Sequence, residues 1–114
     1  MEERFAQQLK KGVLEMLVLE AVCCKETYGY ELLTTLREAS GGLFTLKEGT
    51  LYPILYRLED DGMIISSWST GEGRTAPKKM YSATEQGRAA RLRHRQVWRE
   101  FTAAVDGFYG EDGE

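Results

Sequence analysis

Histidine, cysteine and proline are scarce in this chain of 114 residues, with one, two and two copies respectively. Each scarcity removes a class of proteins. His94 stands alone and no Cys-x-x-Cys or His-x-x-x-His spacing occurs, so the residues offer no ordinary zinc site, and we expect neither a metal nor a cofactor. The two cysteines, Cys23 and Cys24, are neighbours and cannot close an ordinary structural bridge with each other. They read as buried thiols of a reducing cytoplasm. Long apolar runs are missing too. The longest nearly apolar stretch, residues 13–24, spans 12 residues and includes Glu15 and Glu20, whereas a bilayer span needs about 20 apolar residues. The opening MEERFAQQ lacks the basic flank and apolar run of a secretory leader. No Gly-x-Ser-x-Gly elbow and no Walker loop is present, so enzyme readings have little to rest on. What remains, 42% hydrophobic and 29% charged residues, is the balance of one folded domain able to bury a core.

One motif matches only on paper. Gly71-Glu72-Gly73-Arg74-Thr75-Ala76 fits Gly-x-Gly-x-x-Ala, but a dinucleotide fingerprint must open a helix whose N-terminus holds the pyrophosphate. Here Pro77 and a strand-like run follow, so the segment reads as a glycine-rich turn. Charge is also unevenly spread. The chain carries net −3, yet residues 74–95 hold seven basic side chains against Glu85 alone. A local basic stripe on an acidic protein can meet a phosphate backbone; a solvated helix face explains the same stripe.

Periodicity predicts four helices and one hairpin. The first helix covers residues 9 to about 25 and is apolar on nearly every side from Val13 to Val22. Such a helix must be covered all round. One side can face the domain's own core; the other, with Val13 and Leu17, calls for a second copy of the chain. The second helix starts with Thr27 as N-cap, runs through Leu32, Leu33 and Leu36, and stops at Ser40-Gly41-Gly42. Thr45-Leu46-Lys47-Glu48 fits a capping box that opens the third helix, on which Leu51, Leu55 and Leu58 recur at helical spacing. Pro53 there costs about 3 kcal/mol unless the regular helix begins near Thr50, and the sequence leaves both options open. Residues 63–68 and 78–83 read as strands joined by a polar turn, and Thr84 or Ser82 caps a last helix.

The predicted fold is therefore mainly α with a small β-hairpin, a winged helix-turn-helix followed by a long C-terminal helix. Residues 1–8 read as an N-terminal extension, 9–84 as the winged domain, 85–109 as a dimerisation helix and 110–114 as a disordered tail. On the last helix Ala90, His94, Val97, Phe101, Ala104 and Phe108 step by 4, 3, 4, 3, 4, the spacing of a coiled-coil seam. Trp98 and Val105 widen it. At about 36 Å this helix is too long for a small winged domain to cover. The expected state is a homodimer with Val13, Leu17, Val97, Trp98, Phe101, Val105 and Phe108 at its interface.

These residues resemble a known family. Gly49-Thr50-Leu51-Tyr52-Pro53, then Arg57-Leu58-Glu59 and Gly62, is similar to the recognition-helix signature of the PadR family of bacterial transcription regulators. Residues 14–22, Tyr28-Gly29-Tyr30-Glu31-Leu32, Pro77-Lys78-Lys79-Met80-Tyr81 and Thr84-Glu85-Gln86-Gly87 agree with it. The resemblance covers about residues 9–95, and the length matches the short branch with a single C-terminal helix. Met80 and Ala83 depart from it, standing where aromatic and aliphatic residues are usual. The resemblance implies a homodimeric winged-helix repressor released from DNA by a small molecule; a dimer calls for a palindromic operator on double-stranded DNA, and the cysteines point to the cytoplasm.

The chemistry of the residues fits that implication. With Leu51, Leu55 and Leu58 facing the core, Lys47, Thr50, Pro53 and Arg57 lie near the opposite face, where Arg and Thr can reach base edges or phosphates. Tyr52 and Tyr28 can give hydroxyls to phosphates, and Arg74, Lys78 and Lys79 on the wing suit phosphates or the minor groove. The competing reading for Arg57 is an ion pair with Asp60 or Asp61; for the tyrosines it is packing. Trp98, with Phe101 and Val97, is the candidate site for a flat aromatic effector bound at the dimer interface, where two copies of the indole could sandwich it. Its spacing from Thr84 is similar to that of a drug-stacking tryptophan in multidrug-sensing relatives, and the competing reading is a seam residue. Trp68 reads as structural. A winged module that binds protein rather than DNA is the alternative that net −3 and the run Glu59-Asp60-Asp61 keep open.

Overall fold

A computed structural model describes residues 3–70 and 76–110. The elements run α1 (Glu3–Cys24), β1 (Thr27–Tyr28), α2 (Gly29–Ala39), α3 (Glu48–Asp60), β2 (Ile64–Trp68), β3 (Lys79–Ala83) and α4 (Glu85–Tyr109). The strands form one antiparallel sheet in the order β1-β3-β2. This is the expected winged helix-turn-helix with its long final helix. Residues 1–2, 71–75 and 111–114 lie outside the described residues, and with them Arg74, the Gly-x-Gly-x-x-Ala segment up to Thr75 and the 110–114 tail beyond Gly110.

The helical period of α1 builds the core. Leu14, Val18, Leu19 and Val22 share one helical face and meet Leu32 and Leu36 of α2, Leu51, Ile54, Leu55 and Leu58 of α3, and Ile64 and Tyr81 of the sheet. Fully burying each such aliphatic side chain stabilises the fold by about 1.5–3 kcal/mol before conformational entropy is set against it. Val13, Met16 and Leu17 occupy the other side of α1 and stay half exposed.

Four local expectations are corrected. The first helix begins at Glu3, so residues 3–8 continue it and are not a separate extension. Thr27 is no N-cap: it pairs with Tyr81 as part of a third strand, and its hydroxyl donates to Glu31 Oε1 at 2.7 Å. The Thr45–Glu48 capping box does not form, because Thr45 Oγ1 turns back to donate to the Gly42 carbonyl at 2.8 Å, which leaves Lys47 as N-cap without a side-chain bond. Cys24 is exposed and Cys23 half-buried, not both interior. Pro53 does sit inside α3. It removes the donor that the Gly49 carbonyl would meet, and both residues lie on the exposed side of the helix, where water can take that carbonyl.

The joint between the wing and α4 is built as predicted around Thr84. Its Oγ1 accepts from Gly87 N at 2.9 Å and donates to the Gly62 carbonyl at 2.6 Å, while its amide donates to the Met63 carbonyl at 3.0 Å. One side-chain oxygen thus caps α4 and ties it to the end of α3. Gly87 allows the approach, for a Cβ there would run into the Met63 carbonyl. Beyond Ala90 no residue of α4 is buried, and the radius of gyration, 16.3 Å, exceeds the roughly 13 Å of a compact chain this long. The helix is an arm.

Candidate nucleic-acid interface

The buried stripe of α3 turns the other side of the helix outward. Thr50, Pro53, Tyr56 and Arg57 are exposed there, with Lys47 at the helix entrance. Gly49 is exposed as well, and a Cβ on it would meet nothing within 4 Å, so no internal packing requires this glycine. Tyr52 flanks the exposed face and is half-buried, its hydroxyl lying where a Cβ on Gly29 would stand. Gly29, the first residue of α2, therefore lets that helix's N-terminus close against α3.

Aromatic rings then hold the wing's cations at this edge. Lys78 Nζ lies 4.3 Å from the centre of the Tyr28 ring. Lys79 Nζ lies 5.7 Å from Tyr56 and 5.6 Å from Tyr81. A cation over a ring face gains about 0.5–1 kcal/mol at an exposed site, enough to bias two flexible side chains without burying their charge. Tyr52 and Tyr56 adjoin, with ring centres 6.2 Å apart. The structure thus brings together Tyr28, Tyr52, Lys78 and Lys79, and adds Tyr56. Sequence reasoning missed Tyr56, although it falls four residues after Tyr52 and one helical turn further along α3. Arg57 pairs with neither Asp60 nor Asp61 but lies 3.9 Å from Glu15 Oε1 of α1. An exposed pair at that distance contributes at most about 1 kcal/mol, so the guanidinium remains available.

A second cluster lies between α1 and α4. Arg91 Nε donates to Glu20 Oε1 at 2.6 Å, and this bond holds the Glu20 carboxyl below the usual carboxylate range despite partial desolvation. Cys24 Sγ donates to the other carboxylate oxygen at 3.4 Å. Partial burial pushes both thiols up, Glu20 adding to the effect at Cys24, so both stay protonated at neutral pH, which disfavours oxidant sensing. Next to this cluster a pocket of about 200 Å³ is walled by Val13, Met16, Leu17, Phe44 and Trp98, with Glu20, Arg91 and Arg95 at its polar side. Trp98 is 39% exposed, whereas Val97 and Phe101 are each 61% exposed and are not among that pocket's walls.

Residues 18–93 match the family described as the transcriptional regulator PadR-like family. The chain belongs to that family. Over 101 residues it is 31% identical to transcriptional regulator Rv3488 of Mycobacterium tuberculosis, covering 89% of this chain and 90% of the relative. It is 32% identical over 76 residues to negative transcriptional regulator PadR of Bacillus subtilis, covering 67% of this chain and 41% of that longer protein. A PadR family transcriptional regulator from Eggerthella lenta superposes with a TM-score of 0.83 at 28% identity, over 95% of this chain and 91% of the other. A Streptococcus transcriptional regulator gives 0.76 at 36% identity, over 90% and 98%. PadR-like proteins are named as transcriptional regulators and not as enzymes. Among the described residues, no helix is long and apolar enough to cross a membrane.

Proposed function

We propose that this PadR-like chain is a homodimeric, sequence-specific DNA-binding repressor released by a small aromatic effector. The observation that carries the DNA-binding reading is the seating of Lys78 and Lys79 over Tyr28 and Tyr56, at the edge shared by α3 and the start of α2. In this reading α3 enters the major groove, which admits one helix. Thr50 and Arg57 face base edges there, with Lys47 and Pro53 beside them. Lys78, Lys79 and the hydroxyls of Tyr28 and Tyr52 meet phosphates, and Arg74, four residues before Lys78 in the sequence, is assigned the same role. The bare backbone at Gly49 suits a close approach to DNA. The protein-interaction alternative loses part of its motive, because the Glu59 carboxylate is engaged by the Ser66 hydroxyl at 2.6 Å.

The dimer is supported by the uncovered sides of α1 and α4. Its two α3 helices would read a roughly palindromic site with half-sites about 10 base pairs apart or a multiple of that. The pocket at Trp98 supports an effector site between the same two helices. An effector bound there releases DNA only if it favours a spacing of the α3 helices that DNA does not accept.

Salt-dependent binding to duplex DNA tests the reading. Affinity should fall steeply with salt, and Lys78→Ala or Lys79→Ala should weaken binding to every sequence. Each should also flatten the log–log salt slope by about 0.9 for every phosphate that is no longer neutralised. Arg57→Ala should in addition relax sequence preference. Binding that ignores salt, or lysine variants that match the wild type, would contradict it. For the effector, an aromatic compound should quench Trp98 emission in a Trp68→Phe background, and Trp98→Ala should lose the response yet still bind DNA.

A further inference from the structure

Trp68 reads as structural in the sequence, but its surroundings do not support that role. Alternation along β2 puts Ile64, Ser66 and Trp68 on one face of the sheet, opposite Ala83, Tyr81 and Lys79. That face passes from the core to the outside within four residues: Ile64 is fully buried and Trp68 is 69% exposed. Its orientation is fixed by α3. The Ser66 hydroxyl donates to Glu59 of α3 at 2.6 Å, one step inside Trp68, and Lys79, the cross-strand partner of Trp68, reaches 5.7 Å from the Tyr56 ring on the outward side of α3. Trp68 therefore stands on the α3 side of the wing, next to a cation that is held over an aromatic ring. β2 starts beside the Met63–Gly87 joint with α4 and ends at Trp68, so the indole occupies the end of the strand away from that joint.

We infer that Trp68 is a DNA-contacting residue whose indole lies against the deoxyribose and phosphate of the strand that Lys79 neutralises. The inference rests on the DNA-binding reading above. Charge complementarity selects this occupant: Lys79 stands cross-strand beside the ring, and the patch continues the exposed face of α3. An indole has a flat apolar face for sugar C–H groups and one N–H to donate to a phosphate oxygen. It is uncharged, so its contact releases no counterion. Trp68 and Lys79 thus act on one stretch of backbone with different salt signatures.

The test uses the full chain and a mixed-sequence duplex of about 30 base pairs at low and moderate salt. In a Trp98→Phe background, titrating the duplex should quench and shield Trp68 from acrylamide, saturating together with the anisotropy of the labelled DNA. Trp68→Ala should lower affinity about fivefold at each salt concentration with the salt slope unchanged. Trp68→Phe should recover part of the loss, and Lys79→Ala should flatten the slope. DNA binding with unshielded Trp68, and Trp68→Ala equal to wild type, would overturn the inference alone. Absence of any binding to the duplex would overturn it together with the DNA-binding reading.

Discussion

The winged part of the chain and the outer part of α4 carry apolar residues at equally regular spacing but bury them to opposite extents. In the winged part Val18, Leu19, Leu51, Leu55 and Ile64 are all fully buried. Along α4 beyond Ala90, Val97 and Phe101 are mostly exposed and Phe108 is 94% exposed. A hydrophobic period reports that a face is to be covered; it does not say whether the cover lies in the same chain. In one region the sequence folds onto itself. In the other it presents a seam that no described residue of the same chain fills, which is the physical basis of the dimer proposal. The Nδ1 of His94, buried at the inner end of that seam, has no hydrogen-bond partner among the described residues.

Substitutions sharpen this contrast when they separate stability from association. The largest stability effect is expected at Gly87, where a Cβ meets the Met63 carbonyl backbone. Gly87→Ala should cost about 3 kcal/mol in urea unfolding, and a loss under about 1 kcal/mol would show that the joint between wing and α4 is looser than described. A middle effect is expected at the strap between the two regions. Glu20→Gln weakens the bond to Arg91 and should lower stability by clearly less than Gly87→Ala, because both side chains are about 40% exposed. Because the folded Glu20 carboxyl lies below its unfolded value of 4.5, this contribution is present above that value and is lost as pH falls through the folded pKa. The Gln variant should therefore show a shallower acid loss than wild type.

The smallest effect is expected at Tyr81, a buried phenol with no hydrogen-bond partner among the described residues. Tyr81→Phe removes an unpaired polar atom and should change stability by no more than about 0.5 kcal/mol at neutral pH. At alkaline pH the two should diverge. Burial pushes the Tyr81 hydroxyl from 10.0 up to about 12, so wild type loses stability as pH rises from the unfolded value through the folded one. The Phe variant should lack that part of the alkaline loss.

The sequence displayed the order of helices and wing, the Thr84 cap and the seam of α4, because each is written in local spacing or in a single capping residue. What it concealed depends on partners distant along the chain. Two residues suffice for β1, too few for a strand period, and Thr27 has the chemistry of a cap, so only its pairing with Tyr81 reveals the strand. Arg57 has acidic neighbours at Asp60 and Asp61, yet the carboxylate it meets is Glu15 on another helix. Tyr56 and Trp68 carry no motif; they become candidates only when Lys79 is placed between them. Arg74 lies outside the described residues, and its part in DNA binding is a proposal from the sequence.

Sedimentation velocity at micromolar concentration, run on the wild type and on Phe101→Asp, tests most directly whether the outer half of α4 is completed by a second copy. Wild type should sediment as a species of twice the 13.0 kDa chain mass, and Phe101→Asp should fall to the single-chain mass while keeping a folded winged part. A folded wild-type monomer at that concentration, or a Phe101→Asp protein that dimerises as before, would contradict the account.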